Sequence, residues 1–146
     1  MAWQVAPVAS RVLIIDDDRS VSAAIQKTLT RQGYDVALAP NAADGEQLFG
    51  SSRFDLVIVD IFMPETDGLE IIRHLRKQSP TIPILAMSGF SFQNSMVSTP
   101  DFLWMALKLG ATARLRKPFT VQQLMAAIDA SLHPTIVHAR SIENTS

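Results

Sequence analysis

The feature that most constrains this chain is an alternation. Short apolar blocks recur along it, each separated from the next by a stretch whose apolar residues fall at helical spacing. A strand that is apolar on both faces needs cover on both. When helical stretches lie between such strands, the chain is built for a parallel sheet wrapped by helices.

Five strand and helix pairs can be read. RVLIID (11–16) is solidly apolar, and the helix expected near 19–32 puts Val21, Ala24, Ile25 and Leu29 on one face before stopping at Gly33. YDVALA (34–39) alternates more strongly, which suits an edge strand. NAADGEQLFGSS (41–52) is a short helix capped by Asn41, and FDLVIVD (54–60) is the third and most apolar strand. Asp67 caps GLEIIRHLRKQ, where Leu69, Ile72 and Leu75 share a face, and Gly68 eases the turn after Pro64. Pro80 and Pro83 punctuate the approach to IPILAMS (82–88). After a long polar segment come FLWMALKLG (102–110) as a helix, ARLRK (113–117) as a short strand and TVQQLMAAIDASL (120–132) as the last helix, capped by Thr120. Met87, Met105 and Met125 read as core filling. His74, His133 and His138 lack metal-ligand spacing and read as surface or tail residues.

At 146 residues there is room for one core, in a chain burying roughly 68–70% of its unfolded surface. We expect a domain over 11–132, with 1–10 and 133–146 as tails. Hydrophobic residues are 47% and charged residues 18%, a globular balance. A net charge of -1 supplies no bulk field for nucleic acid or acidic lipid, so neither is expected as a partner. With no cysteine there is no disulfide framework, thiol catalysis or cysteine-held zinc. No run reaches the roughly 18 apolar residues of a membrane span. The start, MAWQVAPVAS, lacks the form of a secretory signal, and a cytoplasmic location is expected.

In open parallel sheets, ligands bind outside the carboxyl ends of the strands. Strand one ends in Asp16-Asp17-Asp18, strand three in Asp60, strand four in Ser88 and strand five in Lys117-Pro118. Carboxylates from two strands suit a hard cation such as magnesium, which is often completed by phosphate oxygens. A carboxylate left partly free can attack phosphorus and form an acyl phosphate. Lys117 then pairs with one phosphoryl oxygen and the Ser88 hydroxyl donates to another. Asp18 is expected to cap the first helix.

The ordered set VLIIDDD, DLVIVDIFMPETDGLEIIRHLR, ILAMSG and RKPF closely resembles the receiver domain of two-component response regulators over roughly residues 11–132. That resemblance implies a flavodoxin-like, doubly wound five-stranded α/β sheet of order 2-1-3-4-5 with five helices. It implies a switch that accepts a phosphoryl group on Asp60 from a histidine kinase or phosphotransfer protein. Asp16 and Asp17 match the acidic pair that organises magnesium, Asp17 directly and Asp16 through water, and the Phe62 carbonyl matches the remaining protein ligand. Ser88 matches the switch hydroxyl and Lys117 the phosphate-pairing lysine. The peptide before Pro118 is implied to be cis. Output is implied through the fourth helix, fifth strand and fifth helix, to a downstream protein, an output domain or a second copy. FLWMALKLG can present an apolar patch there.

The chain departs from the family pattern in three places. Ser88 and Lys117 lie further apart than usual, the excess falling in GFSFQNSMVSTPD (89–101), a segment expected either to alter switching or partner choice or to be inert slack. Arg114 stands where an aromatic residue usually couples to the hydroxyl, so an arginine contact is the expected replacement. Phe62 and Phe90 occupy the two positions that influence acyl-phosphate lifetime. Apolar rings there hinder water without orienting it, so slow self-dephosphorylation is expected.

Two alternatives stand beside this. One is the receiver segment of a longer regulator. The other is a haloacid-dehalogenase-like phosphatase with Asp16 as nucleophile and Asp18 as general acid. That enzyme family needs a later acidic motif, for which only Asp129 is available, and it gives Asp60 no role.

Overall fold

The computed structural model describes residues 10–63, 66–89 and 99–133, without the side chains of 66 and 99–103. Its elements are β1 (Arg11–Ile15), α1 (Arg19–Arg31), β2 (Asp35–Ala39), α2 (Ala42–Ser51), β3 (Leu56–Asp60), α3 (Gly68–Gln78), β4 (Ile84–Ser88), α4 (Thr99–Leu109), β5 (Ala113–Arg116) and α5 (Val121–Leu132). The five strands form one parallel sheet of order β2-β1-β3-β4-β5. This is the expected flavodoxin-like topology.

Register explains the two-sided core. Leu13, Ile15, Val57, Val59, Ile84 and Ala86 point to the side covered by α2, α3 and α4. Val12, Ile14, Leu56, Ile58, Leu85 and Met87 point to the side covered by α1 and α5. The central strands β3 and β4 are buried at every position, which is why their sequences are continuous apolar runs. The edges β2 and β5 mix buried and exposed positions.

Helix ends follow their caps. Asp18 accepts from the Ser20 and Val21 N–H groups, Asn41 from Asp44, and Asp67 from Leu69. Thr120 and Gln123 form a reciprocal capping box on α5. Gly33, at φ 95°, turns the chain out of α1 as only glycine does without strain.

Several expectations are corrected. α4 begins at Thr99 rather than 102, with Pro100 inside its first turn, where a missing N–H is harmless. Met105 is not core but 40% exposed, because buried Ala106 is the side of α4 that meets the sheet. The strand boundaries contract, so that β4 starts at Ile84 and β5 ends at Arg116, just before the cis Lys117-Pro118 peptide. A two-residue antiparallel ladder, Phe62–Met63 with Thr66–Asp67, lies between β3 and α3. It is too short to leave a periodic signal.

Candidate functional site

β1 and β3 are neighbours from which the chain departs in opposite directions across the sheet, so a crevice opens between their carboxyl ends. Asp16 follows β1 and Asp60 closes β3. Both are buried, whereas Asp17 is exposed. One carboxylate oxygen from each of Asp16, Asp17 and Asp60 lies within 4.8 Å of the others. Hard oxygen donors so gathered form a site that can hold a divalent cation.

The side chains are held on both sides. Asp16 Oδ1 accepts from the Asp18 N–H at 3.0 Å, and Asp60 Oδ1 accepts from the Phe62 N–H at 2.9 Å. From the far side, the Lys117 ammonium donates to Asp16 Oδ2 at 3.0 Å and to Asp60 Oδ2 at 3.1 Å. Lys117 reaches the rim because its own N–H donates to the Ser88 carbonyl, extending the β4 and β5 pairing by one step.

Two buried carboxylates sharing one ammonium are electrostatically unbalanced. Burial pushes the Asp60 carboxyl up to about 7, with Lys117 opposing and Asp16 reinforcing the rise. Burial alone would depress the Lys117 ammonium. The adjoining Asp60 and Asp16 outweigh it and hold Lys117 above its ordinary value. The rim is short of positive charge, and a divalent cation fits that deficit.

Ser88 is fully buried and its hydroxyl donates to the Gly89 carbonyl at 3.0 Å. Phe62 is half-buried against the α3 and α4 side of the core. Arg114 is exposed on β5, in register with Ala86, one pleat below the level of Ser88. Phe90 and most of 89–101 lie outside the described residues. Asp18 is spent on its cap, and Asp129 lies near the distal end of α5, 3.9 Å from His133. The phosphatase reading therefore loses its second and third acids.

The response regulator receiver domain family matches residues 12–129. The chain belongs to that family. Among relatives of this receiver domain is the response regulator MprA of Mycolicibacterium vanbaalenii, 35% identical over 125 residues that cover 86% of this chain and 51% of the relative. The chain thus spans about half the length of the curated relatives it matches. A response regulator receiver domain protein of Clostridium thermocellum superposes with a TM-score of 0.75 at 28% identity, covering 88% of this chain and 98% of that one. The Vibrio cholerae chemotaxis protein CheY4 gives 0.75 at 28%, covering 86% and 100%. The family is a signalling one, which agrees with the acidic rim and does not favour the phosphatase alternative.

Two residues of this receiver escaped sequence reasoning in their actual role, Gly68 beside the rim and Arg76 at the opposite end of the sheet. Gly68 is required by a close approach: a Cβ there would overlap the Ile61 backbone, so glycine lets α3 start directly beneath the segment carrying Asp60 and Phe62. Arg76 reaches from α3 to the carbonyls of Ser79, Ile82 and Gly110. Its position in a charged helix end gave no hint of this.

Proposed function

We propose that this receiver domain is a phosphorylation-controlled switch in which Asp60 accepts a phosphoryl group from a histidine kinase or phosphotransfer protein. The observation that carries the reading is the Lys117 bridge between Asp16 and Asp60, with Asp17 in reach of both. Asp16, Asp17, Asp60 and the Phe62 carbonyl would hold magnesium. When bound, that ion lowers the Asp60 pKa and neutralises charge on the incoming phosphoryl group.

Asp60 then attacks phosphorus with a carboxylate oxygen. The new bond is P–O, the broken one is the P–N bond of the donor phosphohistidine, and the departing imidazole takes a proton. Lys117 moves from the carboxylate to a phosphoryl oxygen, and the Ser88 hydroxyl rotates from Gly89 to another. These two shifts are the signal. Phe62 with Phe90 slows hydrolysis by excluding water, and Arg114 replaces the usual aromatic coupling. Output passes through α4, β5 and α5 to a downstream protein or output domain, in the cytoplasm.

The test is intact mass after incubation with magnesium and a small phosphodonor. One labile phosphoryl adduct is expected, absent in Asp60→Asn and retained in Asp16→Asn at high magnesium. An adduct on Asp16, or steady release of phosphate over many turnovers, would overturn the reading. In the Phe62 and Phe90 double change to polar residues, the adduct half-life is expected to shorten.

A further inference from the structure

Trp104 on α4 is 54% exposed and its neighbour Met105 40%. The exposed Lys108 ammonium lies 4.5 Å from the centre of the Trp104 ring. At the adjoining open edge of the sheet, β5 carries Arg114 and Arg116, in register with Ala86 and Ser88 and therefore on the sheet face that α4 covers. Both arginines are exposed. Among the described residues, none of these three cations has a carboxylate partner. Neighbouring α5 turns out neutral Gln122 and Gln123, and its one acid, Asp129, lies beside His133 near the helix end. The only acid of α4 is Asp101, in the first turn.

We infer that this face docks a protein partner presenting an acidic surface with an apolar centre, and not a second copy of the chain. The inference names the partner chemistry of the output face proposed above and rests on that reading. A two-fold pair through this face would set the same patch, with its three unpaired cations, on both sides of the interface. Cations would then meet cations, at a cost. Nucleic acid is a poor occupant, because a strong phosphate-binding surface makes roughly 6–10 phosphate contacts. Half-exposed Trp104 and Met105, with Lys108 against the Trp104 ring and two exposed arginines on the adjoining strand, instead have the make-up of a protein interface, where an aromatic anchor is desolvated and charge at the rim selects the partner.

The experiment uses the full chain with magnesium and phosphodonor, and a fluorescein-labelled amphipathic peptide bearing glutamates around two leucines. Anisotropy is read at two salt concentrations. Binding is expected to weaken with salt, and to fall roughly tenfold in R114E/R116E and in Trp104→Ala. K27E/R31E, which makes the same charge change on exposed α1, is expected to bind as the parent does. Equal affinity for the peptide with lysine in place of glutamate would overturn the inference. So would tighter binding of a random-sequence DNA duplex, peptide affinity unchanged in R114E/R116E, or sedimentation showing a dimer that R114E/R116E abolishes. Intact mass of the same samples separates the two readings. An Asp60 adduct without patch-dependent binding sinks only this inference, and binding without an adduct sinks the phosphorylation reading.

Discussion

Asp60 concentrates the energetic tension of the molecule. In metal-free protein its folded-state value of about 7 lies above the 3.8 of an unfolded chain, so between these values the folded state holds a proton that the unfolded state has released. The contribution of Asp60 to stability is therefore fully present below pH 4 and is lost as pH rises through about 7. Chelator-treated protein is expected to show that decline in urea denaturation, and Asp60→Asn to abolish it, gaining roughly a few kcal/mol at pH 8. Added magnesium is expected to flatten the profile of the parent protein. A flat metal-free profile would show that the rim carries no such strain. Glycines supply a second contrast. Gly68→Ala drives a Cβ into the Ile61 backbone and is expected to cost about 3 kcal/mol or more while weakening cation binding. Gly50 in α2 has nothing within 4 Å of an added Cβ, so Gly50→Ala is expected to stabilise by about 0.5 kcal/mol. Thermal melts of both variants check this.

Elements are locked to one another at their ends, and the locks differ in reach. The α5 capping box is local, so Thr120→Ala is expected to cost about 1 kcal/mol in chemical denaturation and leave phosphorylation intact. Arg76 joins distant pieces: one guanidinium donates to carbonyls at the end of α3, before β4 and after α4. Arg76→Met keeps the stem but leaves these carbonyls without their charged donor, and a loss of about 2 kcal/mol is expected in the same assay. Because Gly110 closes α4, the proton exchange of Ala111 and Thr112 is expected to quicken as well. The first of these locks was legible, since a threonine before an apolar helix announces itself. The second was not, because an arginine two residues from a helix end looks like any solvated charge until the fold brings Gly110 to it.

For the whole molecule, one sheet divides the core into two layers that share every strand, so neither layer can melt alone. Ile84→Ala on the α3 and α4 side and Ile58→Ala on the α1 and α5 side remove fully buried side chains. Each is expected to cost about 3–4 kcal/mol, with backbone and aromatic circular dichroism melting together in both; separate transitions would contradict a shared sheet. The alternation of apolar runs and helical spacing determined by itself the layer order, the caps at Asp18, Asn41, Asp67 and Thr120, and, to within one residue, where each strand ends. It did so because periodicity and capping are local physics. The acids of the rim could also be named, since a parallel sheet delivers all its strand ends to one side. Only the tertiary structure decided that Lys117 touches both Asp16 and Asp60, that burial raises Asp60, and that Met105 faces outward. It alone set exposed Arg114 and Arg116 on the sheet face that α4 covers. Each of these depends on which residues become near neighbours after the chain has crossed the sheet, and hydrophobic spacing carries no record of those distances.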